Sequence, residues 1–255
     1  ILIIAGSDSG GGAGIQADIK AASYFKVFAT TAVTAVTAQN TLGVQSIFPI
    51  PEIEIQKQLR SVIDDLAPDL IKIGMLGTKE VVDCVAQEIL PNKIILDPVM
   101  VATSGDKLVD EGCIKGIKEK LVPNSYLVTP NSFEAEILSG KKISSIEDQE
   151  YAAKEIKNLG AENVLVKGGH LHEGNNLVDI LVDETGKSRQ FKSQRIDSNN
   201  THGTGCTLST AIASSVAKGI ALEKAITDSI SYVQRGIKNA PNLGSGNGPL
   251  MHFDV

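Results

Sequence analysis

The chain has 255 residues, of which 42% are hydrophobic and 21% are charged, as is typical of a globular protein with a substantial core. Its net charge of −6 and its 4% of aromatic residues argue against a nucleic-acid partner, which needs a basic surface or rings for base stacking. No apolar run approaches the ~18 residues that span a bilayer. Three cysteines without a CxxC pair indicate a reducing, cytoplasmic compartment.

Short β-branched runs alternate with longer amphipathic stretches as far as residue 167. Strands are predicted at residues 1–5, 29–37, 70–73, 93–97, 126–129 and 163–167. Helices are predicted between them at residues 14–25, 53–66, 79–90, 111–121, 133–138 and 146–159. The apolar start of the chain is interpreted as a buried strand rather than a signal peptide. Because the strands are nearly continuous in apolar residues, the order predicts an α/β fold with a mostly parallel sheet and helices on both faces.

The pattern changes after residue 167. Strand-like runs at 177–182 and 188–191 flank the turn-forming residues 183–186, which predicts an antiparallel hairpin at a sheet edge. Two more helices and a glycine-rich loop are predicted at 204–218, 222–238 and 242–249. No repeat, low-complexity linker or change of composition divides the chain, so we expect one domain over residues 1–255.

A glycine-rich segment runs directly into the helix predicted at 204–218. It reads Asn-Asn-Thr-His-Gly-Thr-Gly-Cys over residues 199–206. The first N–H groups of a helix lack intrahelical partners, and together with the helix dipole they form a site for an anion. Cys206 and Thr207 then offer a nucleophile or base, and a cysteine at this place is expected to have a lowered pKa. The alternative is an ordinary loop before a core helix, with Cys206 as an inert small side chain.

A second glycine cluster, at residues 10–14, follows the first predicted strand. It lacks the Gly-x-Gly-x-x-Gly spacing of dinucleotide-binding folds, and no acidic residue ends the second strand, so that function is not favoured. Asp18 in the next helix, with Gln39 and Asn40 at the end of the second strand, could bond a heteroaromatic ring that bears an amino group. Each of them could also be a solvated helix-face or turn residue.

Polar side chains also follow three other predicted strands, at the edge where α/β sheets bind ligands. They are Asp97, Asn131, Glu134 and Lys167. Carboxylates suit Mg²⁺, and a lysine can neutralise phosphoryl oxygens. With segment 199–206 these side chains predict a site for phosphoryl transfer, although Asn131 could simply cap the following helix. The four histidines lack ligand spacing, which argues against a zinc site.

Several short motifs occur in order along nearly the whole chain. They are Ala-Gly-Ser-Asp at 5–8, Gly-Gly-Ala-Gly-Ile-Gln-Ala-Asp at 11–18, Thr-Ala-Gln-Asn-Thr at 37–41, Lys-Ile-Gly-Met-Leu at 72–76, Asp-Pro-Val-Met at 97–100, Thr-Pro-Asn-x-x-Glu at 129–134, Lys-Gly-Gly-His at 167–170, His-Gly-Thr-Gly-Cys at 202–206 and Gly-Pro-x-x-His at 248–252. With them the chain resembles hydroxymethylpyrimidine/phosphomethylpyrimidine kinases, which are ribokinase-like enzymes of thiamine biosynthesis. The resemblance implies ATP- and Mg²⁺-dependent phosphorylation of 4-amino-5-hydroxymethyl-2-methylpyrimidine and then of its monophosphate.

By position, the resemblance assigns Gln39 to the pyrimidine, with Asp18 bonding the ring and Met75 packing on it. Cys206 stands where many ribokinase-like sugar kinases have an aspartate base, so it would deprotonate or orient the attacking hydroxyl. Backbone N–H groups at the helix start would hold the transferring phosphate. They belong to Gly203, Thr204, Gly205 and Cys206.

The remaining implied roles concern the nucleotide and its metal ion. Lys167 would contact the ATP phosphates beside Gly205. Asn131 and Glu134 resemble an Asn-x-x-Glu element that supports Mg²⁺ through water, and Asp97 offers a further carboxylate. Residues 99–107, with small side chains, could form a flap that excludes water. Relatives suggest a homodimer without nucleic-acid or membrane partners.

Three other functions stay open. A pyridoxal/pyridoxine kinase of the same superfamily is one, although segment 167–170 and the surroundings of Gln39 favour the pyrimidine. A thiol-dependent acyl-transfer enzyme would use Cys206 with His202, but would leave the strand-end carboxylates and lysine unexplained. A non-catalytic pyrimidine-binding protein would bind its ligand without release of ADP.

Overall fold

The computed structural model describes residues 1–101, 108–169, 172, 173, 175–253 and 255. The strands are β1 (Leu2–Asp8), β2 (Thr30–Asn40), β3 (Gly43–Pro49), β4 (Ile71–Ile73), β5 (Ile94–Leu96), β6 (Leu127–Val128), β7 (Asn163–Val166), β8 (His172–Glu173), β9 (Asn176–Val182) and β10 (Ser188–Gln194). The helices are α1 (Gly14–Tyr24), α2 (Glu52–Leu66), α3 (Lys79–Ile89), α4 (Glu111–Gly116), α5 (Ser132–Ser139), α6 (Ile146–Asn158), α7 (Thr204–Ala217) and α8 (Leu222–Lys238). A π-helical turn at Ile117–Leu121 and a 3₁₀ turn at Val122–Asn124 continue α4.

The strands form one sheet in the order β10-β9-β7-β6-β5-β4-β1-β2-β3, with β8 paired to β9. The strands from β7 to β2 in this order run parallel, and the β9–β10 hairpin is antiparallel at one edge, which confirms both predictions. The other edge carries a second antiparallel hairpin, β2–β3, which the sequence pattern did not predict. Its connection, Thr41 and Leu42, lacks the Asn-Gly or Asp-Gly pair of common two-residue turns.

Helices cover both faces of the sheet. Along β1, Leu2 and Ile4 belong to the apolar layer beneath α2 to α6, whereas Ile3 and Ala5 belong to the layer beneath α1, α7 and α8. All four side chains are buried. This burial on both sides explains why the strands are nearly continuous in apolar residues. In the described part of the chain, no helix has the length and apolarity to cross a membrane.

The carboxyl ends of the parallel strands meet at one edge of the sheet, where open α/β sheets bind ligands. The polar or sulfur-bearing residues at or just beyond these ends are Asp8, Gln39, Met75, Asp97, Asn131 and Lys167. The first turn of α7 lies at the same edge, because Gly205 is close to both Asp97 and Lys167. The topology therefore gathers residues that are far apart in the sequence.

Candidate active site

A cavity of about 600 Å³ runs along the carboxyl edge of the sheet. Nearly every site residue predicted from the sequence lines it, namely Gln39, Met75, Asp97, Asn131, Glu134, Lys167, Gly203, Thr204, Gly205 and Cys206. Asp18 is the exception. The cavity therefore joins the predicted ring-binding residues to the predicted phosphate-binding residues in one continuous space.

The start of α7 is shaped by two glycines. Gly203 has a left-handed φ of 81°, which favours glycine, and a Cβ there would collide with the carbonyl oxygen of Gly12. A Cβ on Gly205 would lie 3.1 Å from Lys167 Nζ, so the missing side chain keeps the space between the helix start and the ammonium open. The N–H of Thr204 donates to the carbonyl of Thr201 at 3.3 Å, which makes it less available to a ligand than the following amides.

Cys206 lies in the first turn of α7 as a free, half-buried thiol. Burial raises its pKa to about 12, and the carboxylates of Asp18 and Asp97 act in the same direction, against Lys72 and a hydrogen bond from the Gly14 amide. The expectation of a lowered pKa was therefore wrong. The helix N-terminus favours the thiolate, but desolvation and two nearby carboxylates outweigh it.

Lys167 and Asp97 form an ion pair at the cavity wall. Lys167 Nζ donates to Asp97 Oδ1 at 2.9 Å, and Ser209 on α7 donates to Asp97 Oδ2 at 3.3 Å. Burial would lower the pKa of Lys167, but attraction to Asp97 and Glu134 raises it above the usual value. The side chain is therefore a fixed cation beside the helix start, where it can attract a phosphate.

Asn131 and Glu134 form the N-terminal cap of α5. Asn131 Oδ1 accepts the N–H of Glu134 at 2.9 Å, and Glu134 Oε2 accepts the N–H of Asn131 at 2.8 Å. The other oxygen, Oε1, accepts the N–H of Met100 at 3.3 Å. Burial raises the pKa of Glu134 to about 7, against the attraction of Lys167. The capping role considered for Asn131 is thus confirmed, and both Glu134 oxygens are already bonded to the backbone.

Asp18 has a different position from the one its predicted role requires. Its side chain is fully buried, and its oxygens accept hydrogen bonds from Lys72 Nζ at 2.8 and 2.9 Å and from Thr210 Oγ1 at 2.7 Å. Burial would lower the pKa of Lys72, but attraction to Asp18 raises it. Because Asp18 does not line the cavity, the structure does not support its bonding the ring. Its carboxylate instead ties α1 to β4 and α7.

Gln39 is held in a chain of polar contacts at the ring end of the cavity. Its side-chain amide lies 3.1 Å from Thr37 Oγ1 and 3.3 Å from His202 Nε2. The same His202 nitrogen lies 2.8 Å from Asp8 Oδ2. His202 is therefore committed to Asp8 and Gln39, which argues against the thiol-dependent acyl-transfer function, where it would have to serve Cys206.

Two groups of cavity residues were missed by sequence reasoning. Asp179 on β9 accepts the N–H of Gly168 at 2.7 Å, and burial raises its pKa to about 6. An apolar wall is formed by Leu177, Leu208, Ile230, Val233 and Ile237. Ile230, Val233 and Ile237 recur at helical spacing on α8. Such spacing is usually interpreted as the core-facing side of a helix, so it did not indicate a cavity.

Comparison with known proteins identifies the family. A family model described as phosphomethylpyrimidine kinase matches residues 8–251. The chain belongs to this family. A hydroxymethylpyrimidine/phosphomethylpyrimidine kinase of Bacillus subtilis is 43% identical over 255 residues, covering 99% of this chain and 94% of that protein. A bifunctional thiamine biosynthesis protein of Geobacter sulfurreducens is 46% identical over 256 residues, covering 99% of this chain and 52% of that protein.

Solved kinase structures share the fold. The pyridoxal kinase of Bacillus subtilis, in an ADP complex, gives a TM-score of 0.90 at 35% identity, over 98% of this chain and 96% of that one. A phosphomethylpyrimidine kinase of Clostridium difficile gives 0.81 at 37% identity, over 91% of this chain and 96% of that one. The predicted family, the α/β fold and the kinase class are thereby confirmed.

Two parts of the kinase prediction fall outside the described residues. They are His170, the last residue of segment 167–170, and residues 102–107 of the predicted flap at 99–107. Within the described part of that segment, Val99 and Val101 line the cavity.

Proposed function

We propose that this kinase transfers the γ-phosphoryl group of ATP to the hydroxymethyl oxygen of 4-amino-5-hydroxymethyl-2-methylpyrimidine, and then transfers a second one to the phosphate of that product. The observation that carries the proposal is the single cavity that Gln39, the start of α7 and Lys167 line together. An amide for a ring edge, a cluster of helix N–H groups and a fixed cation are the parts that this reaction needs.

The ring is proposed to lie between Gln39 and Met75. An amide offers one acceptor and one donor, which together match an amino group beside a ring nitrogen. The polarizable Met75 side chain supplies an apolar wall, and its Cε would be only 2.6 Å from a Cβ on Gly6. Glycine at position 6 thus leaves Met75 the room that it occupies.

The transferring phosphate is proposed to lie at the start of α7. The N–H groups of Gly205 and Cys206 and the Lys167 ammonium would surround its oxygens, with Gly203 and Thr204 completing the loop. Fixed donors and a fixed cation stabilise charge in the transition state without reorganisation. This arrangement works for either acceptor, because the first product places its own phosphate near the same groups.

Cys206 is the proposed base. The hydroxyl oxygen attacks the γ-phosphorus, the bond to the leaving ADP oxygen breaks, and the hydroxyl proton passes to the thiolate form of Cys206, which becomes a thiol. With a pKa of about 12, the thiolate is a small fraction at neutral pH, and the thiol otherwise orients the hydroxyl. Phosphoryl transfer through a loose transition state demands little activation of the attacking oxygen, which fits such a base.

Mg²⁺ is part of the proposal as the companion of the ATP phosphates. Asp97 Oδ1 is bonded to Lys167, and both oxygens of Glu134 are bonded to backbone N–H groups. Across the described residues there is no group of three His, Cys, Asp or Glu side chains that could ligate a metal ion. The donors therefore fit a hydrated ion held through water by Asp97 and Glu134, with Asn131 fixing Glu134. Such an ion supplies positive charge to the phosphates.

The adenine ring is proposed to pack against the apolar wall of Leu177, Leu208 and α8. This end of the cavity is separated from Gln39 by the start of α7 and Lys167. ATP laid from the wall toward the helix start would direct its γ-phosphate toward Cys206. Asp179 stands beside Lys167 in this nucleotide half.

Assembly and compartment complete the proposal. We include a homodimer because β3 leaves Ile47 and Phe48 exposed at an open sheet edge and the turn before it leaves Leu42 exposed, and large exposed apolar patches commonly mark interfaces. The three free cysteines fit a reducing cytoplasm.

Pyridoxal is the second candidate substrate. The observation that favours it is the TM-score of 0.90 with the Bacillus subtilis pyridoxal kinase. Pyridoxal carries a hydroxymethyl group on a ring of the same size, so the same phosphate site would serve it.

The test is ADP release from Mg·ATP, coupled to mass analysis of the product, with either the pyrimidine or pyridoxal as acceptor. The expected result is acceptor-dependent ADP and a mono- and then diphosphorylated pyrimidine, with lower kcat/KM for pyridoxal. ADP with pyridoxal alone would assign the vitamin B6 activity instead. Binding of the pyrimidine without any ADP would leave a non-catalytic binding protein.

A further inference from the structure

Asp8, His202 and Gln39 form a chain of polar contacts, in which the proton positions determine which group donates and which accepts. Asp8 Oδ1 accepts the N–H of Gly10 at 2.8 Å, and Oδ2 accepts those of Gly12 and Ala13 at 3.1 and 2.8 Å. Burial would raise the pKa of Asp8, but hydrogen bonds from His202 and from the Ala13 and Gly10 amides lower it. Asp8 is therefore an acceptor only.

An ionised carboxylate 2.8 Å from His202 Nε2 requires a proton on that nitrogen. The structure places Gln39 Nε2 3.3 Å from His202 Nε2 and Gln39 Oε1 3.1 Å from Thr37 Oγ1, so with a proton on His202 Nε2 two donors would face each other. The two ends of a glutamine amide have nearly the same shape and are assigned from their partners. Reversing the amide removes this conflict. The oxygen then faces the His202 N–H, which Asp8 shares at 2.8 Å, and the NH₂ donates to Thr37 Oγ1, whose own proton goes to the Ser7 carbonyl at 3.0 Å.

We infer that Asp8 and His202 are positioning residues that hold the Gln39 amide oxygen toward His202 and thereby set which ring edge this cavity accepts. The inference rests on the proposed function. His202 directly precedes Gly203, and the inferred pose puts the hydroxymethyl group beside the oxygen end of Gln39. In this pose the NH₂ end, toward Thr37, faces the ring nitrogen.

This direction separates the two candidate substrates. In the pyrimidine, the group beside the hydroxymethyl is an amino donor, followed by a ring nitrogen acceptor. In pyridoxal, the same two places hold a formyl oxygen and a hydroxyl, so an acceptor comes first. The fixed oxygen of Gln39 accepts from the amino group but opposes the formyl oxygen. A Gln39 free to turn would serve both rings, and the selectivity would decrease.

The proton on His202 can be observed directly. The chain has four histidines, so selective ¹⁵N labelling of histidine gives a simple ring spectrum, with His202 assigned by its loss in His202→Gln. We expect Nε2 of His202 to carry a proton at pH 7. An unprotonated Nε2 would overturn the inference, whether or not the protein phosphorylates the pyrimidine.

The effect on selectivity is tested with matched variants at His202. His202→Leu removes the donor, whereas His202→Gln retains an N–H donor. We expect the ratio of kcat/KM for the pyrimidine over pyridoxal to fall about tenfold in the leucine variant, the scale of one well-placed hydrogen bond, and to stay within about threefold in the glutamine variant. The KM for ATP should change little in both. An unchanged ratio, or equal losses for both acceptors with a raised KM for ATP, would show a merely structural role.

Thr37→Val tests the same idea from the other end of Gln39. It removes the oxygen that accepts from the NH₂ group but keeps the side-chain shape, so it remains informative if His202→Leu fails to fold. We expect the ratio to fall here too, and an unchanged ratio would contradict the inference. The wild type is assayed in parallel: if it phosphorylates neither acceptor, the proposed function fails, while the histidine spectrum still judges the orientation.

Discussion

Two buried lysine–aspartate pairs meet at α7, and they differ in access to the cavity. Lys72 and Asp18 are 2.8 Å apart with both side chains fully buried. Lys167 and Asp97 are 2.9 Å apart, but 14% of the Lys167 side chain is exposed and both residues line the cavity. The same chemical pair is closed off in one place and open to a ligand in the other, which separates a structural role from a catalytic one.

The two pairs differ in whether their remaining hydrogen-bonding groups face protein or the cavity. In the closed pair, Thr210 adds a third partner to Asp18 at 2.7 Å, so α1, β4 and α7 are joined with no group left for a substrate. In the open pair, Lys167 Nζ donates to one described residue, Asp97, and lies beside Gly205, where a Cβ would intrude. Changes in the closed pair should therefore alter stability, and changes in the open pair should alter turnover.

The largest effect is expected for Lys72→Met. It leaves the Asp18 charge buried without its partner, which typically costs 3–5 kcal/mol. Urea unfolding of wild type and variant measures this loss as a lower transition midpoint. The control is Lys72→Met combined with Asp18→Asn, which removes the charge but keeps a partner for Thr210, and should recover more than half of the stability. A single variant as stable as wild type would contradict the closed-pair role.

Lys167→Met is expected to reduce kcat by about 10²–10³-fold, because it removes a fixed positive charge from the transferring phosphate. Its unfolding midpoint should fall less than that of Lys72→Met, since Asp97 borders the cavity and Glu134, with a pKa of about 7, can take up a proton. Steady-state kinetics at saturating ATP and pyrimidine provide the measurement. Lys167→Arg, which keeps the charge, should retain more activity, and turnover within a few-fold of wild type in the methionine variant would break the comparison.

Cys206→Ser sharpens the comparison because this thiol stands between the two pairs. We expect kcat to fall by about 10²-fold, the low end of the effect of a lost general base, because a loose transition state demands little activation, while calorimetry shows pyrimidine binding within a few-fold of wild type. Cys84→Ser, a half-buried cysteine on α3, is the matched control and should be unaffected. Near-normal turnover in Cys206→Ser would remove the base assignment but keep the kinase.

The smallest effect concerns His252, a buried residue beyond α8 that contacts α7. It lies 2.9 Å from Thr207 Oγ1, and burial, with the Lys20 charge, lowers its pKa to about 4. In the unfolded chain, the pKa of His252 has its ordinary value of about 6.5. Between pH 6.5 and pH 4 the unfolded chain therefore binds more protons than the folded protein, so stability is lost as the pH falls through this range. Between pH 7 and 5 the loss amounts to about 2 kcal/mol.

Urea unfolding at both pH values, compared with His252→Asn, measures this contribution. The variant should lose about 2 kcal/mol less than wild type on acidification. Equal pH dependence in the two proteins would show that the imidazole is not held neutral by the fold.

Prediction from sequence succeeded where it depended on local hydrophobic patterns or on the order of strands and motifs along the chain. The β-branched run at β1 and the absence of alternation along it follow from burial on both faces. Asp97 and Lys167 were placed correctly because strand ends of a parallel sheet meet at one edge. β3 was missed because its side chains are mostly exposed and its turn lacks the usual residues.

Asp18 and Cys206 show what local patterns do not contain. The residues around Asp18 in the sequence would be the same whether its carboxylate faced a ligand or a buried lysine. Its actual partner, Lys72, is 54 residues away, so no local pattern contains it. The pKa of a thiol at a helix start depends on the helix, which the sequence predicts, and on desolvation and buried charges, which it does not.

The sequence by itself determined the family, the alternating order of strands and helices, and the residue types at the strand ends, because these depend on short-range periodicity and on ordered motifs. Tertiary structure alone decided which lysine–aspartate pair is closed, which polar groups surround Gln39 and why the Cys206 pKa is raised. These properties depend on burial and on proton donors from distant segments, and both exist only once the chain has folded.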